Sequence, residues 1–149
     1  KKLEQLKAIC DAEIESIAKY NAAEAAGDNE GCKAAMATLE ACKKAMEEVD
    51  DRFRTVYLLY RSMKERGNDM IDFNEPYQYR NAAETVELLR EYGIEKFSFS
   101  SGWSSAIECA WEFVQNGCEL AGITEVHGTV RDFYSDEYKL VPAYIFNIK

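Results

Sequence analysis

Histidine occurs once, at His127, and proline twice, at Pro76 and Pro142, in a chain of 149 residues. A single histidine removes the commonest metal ligand and the commonest general base from almost every position. The five cysteines, Cys10, Cys32, Cys42, Cys109 and Cys118, contain no C-x-x-C pair, so no zinc site, no other metal and no cofactor is expected. They fall among apolar positions of helices and strands and read as reduced, buried thiols. No stretch approaches the roughly 20 apolar residues of a membrane span. The opening Lys1-Lys2-Leu3-Glu4-Gln5-Leu6 reads as charged helix rather than signal peptide, which gives a cytoplasmic expectation.

Basic residues are scarce in one half only. Residues 1–66 hold 12 basic and 13 acidic side chains, whereas residues 67–149 hold 6 and 14. The net charge of −9 therefore belongs almost wholly to the second half. Such a surface repels a nucleic-acid backbone, and its natural complement is a basic protein.

What is present is helical periodicity. Leu3, Leu6, Cys10, Ile14, Ile17 and Tyr20 predict a first helix to about Ala26, interrupted in register by Glu13. Gly27 is positioned to end it, and Asp28 or Asn29 to cap the next. Cys32, Ala35, Leu39, Cys42, Met46, Val49, Phe53, Val56, Tyr60 and Met63 then follow alternating three- and four-residue steps. A single helix from Asn29 to Arg66 would span roughly 55 Å. The expectation is a long, antiparallel, coiled-coil-like hairpin over residues 1–66.

Residues 67–149 read as a small acidic α/β domain packed on the end of that helix. Gly67-Asn68-Asp69 breaks the helix, and Met70 to Tyr79 reads as an irregular connector. Asn81 and Glu84 form a capping box before a short helix closed by Gly93. Lys96 to Ser100 alternates as a strand, and Ser101 or Gly102 opens a helix through Ala106, Ile107, Ala110, Trp111, Phe113 and Val114, closed by Gly117. Glu119 to Arg131 and Leu140 to Ile148 read as a strand pair. The expected class is thus α+β, with an α-β-α-β-β order and a three-stranded sheet. Pro142 should lie near a strand start or on an edge.

Candidate chemistry is sparse. Ser100, Ser101 and Ser104 lie in a strand-to-helix loop, where hydroxyls and backbone N–H groups could hold an anionic group, although the spacing matches no phosphate-binding fingerprint. Without a nearby base, no serine is expected to act as a nucleophile, so no catalytic residue is assigned. His127 reads as a surface histidine on a hairpin. Glu108 and Glu112 stand one helical turn apart, as solvated glutamates do.

The acidic residues are more informative as a pattern. Asp69, Asp72 and Glu75, with Asp132, Asp136 and Glu137, are interleaved with Phe73, Tyr77, Tyr79, Phe133, Tyr134 and Tyr138. Tyrosine supplies contact area and carboxylates pair with arginine or lysine, as on a protein-binding face. The expected partner-binding residues are Asp69, Asp72, Glu75, Tyr77, Asp132, Tyr134, Asp136 and Glu137.

Leu88-Leu89-Arg90-Glu91-Tyr92-Gly93-Ile94, Phe97-Ser98-Phe99-Ser100-Ser101 and Trp111-Glu112-Phe113-Val114-Gln115-Asn116-Gly117-Cys118 carry a resemblance within residues 79–126. The stretch resembles small accessory proteins of phages and mobile elements of gut Firmicutes, some of which are anti-CRISPR proteins. The resemblance implies a non-enzymatic inhibitor whose acidic surface binds a basic protein, such as an RNA-guided nuclease or its guide complex. The alternative is a small enzyme or ligand-binding domain using the Ser100–Ser105 loop. Pairing of two hairpins into a homodimer is a further expectation.

Overall fold

The computed structural model describes residues 1–74 and 81–149. Among them are α1 (Lys2–Ala25), α2 (Asn29–Glu47), α3 (Asp51–Arg66), β1 (Ile71–Phe73), α4 (Ala82–Glu91), β2 (Lys96–Phe99), α5 (Ala106–Gln115), β3 (Cys118–Arg131) and β4 (Tyr138–Ile148). They form two compact units, Lys1–Leu58 and Leu59–Lys149. The division falls inside α3 rather than at the expected Arg66/Gly67 step.

In the first unit, α1 and α2 form the expected hairpin. Gly27 adopts φ +68°, a left-handed conformation that lets Asp28 N–H reach back to the Ala23 carbonyl at 2.8 Å. The Asp28 carboxylate then accepts from Gly31 N–H at 2.9 Å and starts α2. One aspartate thus joins both helix ends. The buried positions are Leu6, Cys10, Ser16 and Ala23 on α1, and Ala35 and Cys42 on α2. Most are small, which lets the helices approach closely.

The expected single helix from Asn29 to Arg66 is interrupted. Glu48–Asp50 leave the helix, and the Asp50 carboxylate accepts from Phe53 N–H at 2.8 Å, capping a new one. The Arg54 guanidinium crosses the break to the Met46 carbonyl at 3.0 Å. An aspartate side chain competes for backbone N–H groups more strongly inside a helix than propensity can resist. Of the apolar steps, Ala35, Cys42, Phe53, Val56, Tyr60 and Met63 are buried, whereas Cys32, Leu39, Met46 and Val49 are half-buried. Glu13, the misfit of α1, accepts a hydrogen bond from the Tyr57 hydroxyl at 2.5 Å.

The second unit is built on a four-stranded sheet of order β1-β2-β4-β3, one strand more than expected. β1 pairs parallel to β2 where a connector was predicted, with Ile71, Asp72 and Phe73 opposite Phe97, Ser98 and Phe99. The other pairings are antiparallel. Register places Phe97, Phe146 and Leu120 on one face, followed by Phe99, Tyr144 and Ile123. The ring of Phe113, from α5, lies 5.0 Å from that of Phe97 and 5.6 Å from those of Phe99 and Phe146. This aromatic cluster is the core of the unit.

Pro142 pairs with Glu125 beyond the Tyr144–Asn147 stretch that contacts β2, so β4 has one neighbour there. The Asn81 side chain accepts from Glu84 N–H at 3.2 Å and caps α4 as its sequence implied. Gly117 takes φ +90°, and a Cβ there would stand 2.5 Å from Arg90 Nη2. Helix α5 starts at Ala106, later than the expected Ser101 or Gly102.

A candidate protein-binding face

The tip of the β3–β4 hairpin gathers four of the residues expected to meet a partner. Arg131 and Tyr138 are the last paired positions. Asp132 N–H donates to the Glu137 carbonyl, Asp136 N–H to the Asp132 carbonyl at 3.2 Å, and Tyr134 N–H to Asp132 Oδ1 at 2.9 Å. Asp136 takes φ +59°, a left-handed conformation that aspartate tolerates better than most residues. Its carboxylate pairs with Arg131 at 3.1 Å, and the Arg131 guanidinium lies 5.0 Å from the centre of the Tyr138 ring. Two of the three acidic side chains therefore shape the turn as well as charging it.

This braced turn holds two aromatic rings in solvent. Phe133 is 91% exposed and Tyr134 94%. Their ring centres lie 5.3 Å apart, edge to face. Asp132, Asp136 and Glu137 belong to the same turn.

Asp72 was expected on the same face and is not there. It is 1% exposed, and its carboxylate meets Arg66 Nη1 at 3.1 Å, with Ser98 and Ser100 hydroxyls each donating at 2.6 Å. Arg66 also donates to the His127 carbonyl at 3.1 Å. The strand alternation that turns Ile71 and Phe73 to one face turns Asp72 to the other, where a buried guanidinium neutralises it. Asp69 is exposed, one residue after Asn68, whose side chain makes paired hydrogen bonds to the His127 backbone at 2.8 and 2.9 Å. Glu75 and Tyr77 lie outside the described residues.

His127 is not a bare surface histidine. It is half-buried, and its Nδ1 lies 2.8 Å from the Tyr138 carbonyl, an acceptor that keeps the proton on Nδ1. It helps close a shallow cavity of about 350 Å³ with Gly67, Arg131 and Glu137. The turn after α3 and the base of the hairpin therefore share a surface.

The serine loop shows weak equipment for an anion. The Ser100 hydroxyl is committed to Asp72, Ser101 Oγ accepts from Trp103 N–H at 3.4 Å, and Ser105 rather than Ser101 or Ser104 stands at the helix start, without a capping bond from its side chain. Its neighbour is a buried carboxylate.

None of the five cysteines forms a disulfide, and Cys10, Cys42 and Cys118 are buried. Burial raises the pKa of the Cys109 and Cys118 thiols, which disfavours their thiolate forms. Among the described residues, no cluster of histidine, cysteine and carboxylates could hold a metal, and no helix is long and apolar enough to cross a membrane.

Sequence periodicity missed a second surface. Ile107, Trp111 and Val114 fit the apolar side of α5, yet they are exposed, as are Trp103, Leu120 and Ile123. The available signal was that apolar residues on α5 outnumber what one buried stripe needs: only Phe113 is fully buried.

The chain belongs to the family described as "Domain of unknown function (DUF7698)", whose model matches residues 55–148. The match covers the second unit and the part of α3 that leads into it. No curated protein matches the chain, and no solved structure does.

Proposed function

We propose that this family member is a non-enzymatic binding protein that engages a basic protein surface through the β3–β4 tip. One observation carries the reading: Phe133 and Tyr134 stand almost fully exposed on a turn fixed by its own backbone and carboxylate hydrogen bonds. Burying a large apolar side chain contributes about 1.5–3 kcal/mol. A turn already ordered loses little entropy when it docks. Glu137, Asp136 and Asp132 give the rings an acidic rim suited to lysine and arginine, and the excess of acidic over basic residues in 67–149 extends that field.

The narrower proposal is an anti-CRISPR-type inhibitor that occupies the basic nucleic-acid channel of an RNA-guided nuclease. The resemblance and the charge support it. A cleavage assay with purified nucleases tests it, and unchanged cleavage under a large molar excess of the chain removes that partner class.

The broader reading is tested by immobilising the chain beside its Phe133→Ser/Tyr134→Ser variant in extract of the native host. Proteins held by the wild type at low salt should be released by high salt and absent from the variant. An identical set on both columns would refute the tip as the face.

A further inference from the structure

The second unit carries an apolar surface separate from the hairpin tip. On α5, Ile107, Trp111 and Val114 follow one another at helical spacing and share a side; Ile107 is 80% exposed and Trp111 62%. Trp103 lies in the loop that precedes α5 and is also exposed. Helix α5 packs on β3, where Leu120 and Ile123 are exposed on the sheet face that carries the phenylalanine core. Pro142 and Tyr144 continue that face on β4, and a cavity of about 250 Å³ opens between them and Ser101. The aromatic core therefore runs outward into a surface that no described element covers.

The charged side chains of α5 and of the β3 positions on this face are glutamates. Between Lys96 and Arg131 there is no lysine or arginine, whereas Glu108, Glu112, Glu119 and Glu125 all fall there. Glu108 and Glu112 lie along one side of the α5 stripe and Glu125 stands opposite Pro142, whereas Glu119 alternates to the other sheet face and is paired with Lys149. An anionic membrane would be repelled by this rim. A second copy would bring like charges together across the contact.

We infer that the α5–β3 face is a docking site for an amphipathic helix of a partner protein, with apolar residues on one side and lysine or arginine along its margins. Apolar residues at helical spacing on α5 offer ridges for a second helix, and the glutamates set its charge. The inference rests on the reading of the chain as a binding protein but not on the tip as its face. The partner reached by the tip and the helix held here can belong to one molecule, in which case two modest contacts reinforce each other.

Both tryptophans of the chain, Trp103 and Trp111, lie on this face, so their emission reports its occupancy. The probe is a synthetic tryptophan-free helix with leucine on one face and lysine on the other, titrated into the intact chain. Its control is the same peptide with glutamate in place of lysine. The lysine peptide should give a saturable blue shift and the glutamate peptide none. Ile107→Ser/Ile123→Ser and Glu108→Lys/Glu112→Lys should each weaken binding about tenfold or more, as loss of central anchors or rim charges does. Phe133→Ser/Tyr134→Ser should leave the titration unchanged, which separates this face from the tip.

Absence of a shift with the lysine peptide would overturn the inference, as would binding by both face variants as tight as that of the wild type. A comparable shift with phosphatidylcholine–phosphatidylglycerol vesicles would assign the face to a membrane instead. A shift that follows protein concentration alone would assign it to a second copy.

Discussion

The two units solve the problem of burial differently. The first closes a seam of alanine, serine and cysteine between α1 and α2 and leaves few large apolar residues exposed, among them Ile17 and Met36. The second packs Phe73, Phe97, Phe99, Phe113 and Phe146 around a sheet and neutralises Asp72 with Arg66 behind it. It then leaves Trp103, Ile107, Trp111, Ile123, Phe133 and Tyr134 in water. A chain that buries five phenylalanines efficiently has the means to bury more. Exposure of the rest is the feature on which the proposed binding faces rest.

The contrast breaks most visibly at two core positions of the second unit. Asp72→Ala should lower stability by about 3–5 kcal/mol, because it strands the Arg66 charge in the interior. Phe113→Ala should fall in the same range of about 3–5 kcal/mol by opening a cavity among four rings. Urea unfolding read by tryptophan emission follows the second unit, since both tryptophans lie there. Circular dichroism at 222 nm weights the helical first unit. If the two signals separate in these variants, the units unfold independently, whereas coincident transitions would show one cooperative block.

Smaller effects sharpen the comparison. Gly117→Ala should cost about 1–2 kcal/mol, through a positive φ and the clash with Arg90. Tyr57→Phe, in the first unit, should cost about 1 kcal/mol by removing the hydrogen bond to Glu13. Phe133→Ser/Tyr134→Ser should change stability by less than about 0.5 kcal/mol, because both rings are already in solvent. Its effect should appear in binding alone. A large loss of stability in that variant would mean that the rings brace the hairpin rather than wait for a partner.

Local signals in the sequence were read well and distant ones poorly. Asp28, Asn81, Gly27 and Gly93 act within a few residues of themselves, and the structure uses each at a helix end. Asp50 was lost inside an unbroken apolar stripe, because periodicity counts side-chain faces and not backbone hydrogen bonds. The role of Asp72 depends on Arg66, Ser98 and Ser100, brought in by a strand too short to announce itself. At the tip, Asp132, Tyr134, Asp136 and Glu137 lie together because they are consecutive or nearly so in the chain. The α5 face was not, since apolar residues at helical spacing look the same whether the fold covers them or leaves them open.

The proposed contacts belong to the second unit, with the tip foremost among them. Hydrogen–deuterium exchange of the chain, free and bound to a captured partner, tests this directly. The predicted result is slowed exchange at the amides of Asp132–Glu137, with little change along α1 and α2. Protection confined to the α1–α2 hairpin, with the tip exchanging as in the free chain, would contradict it.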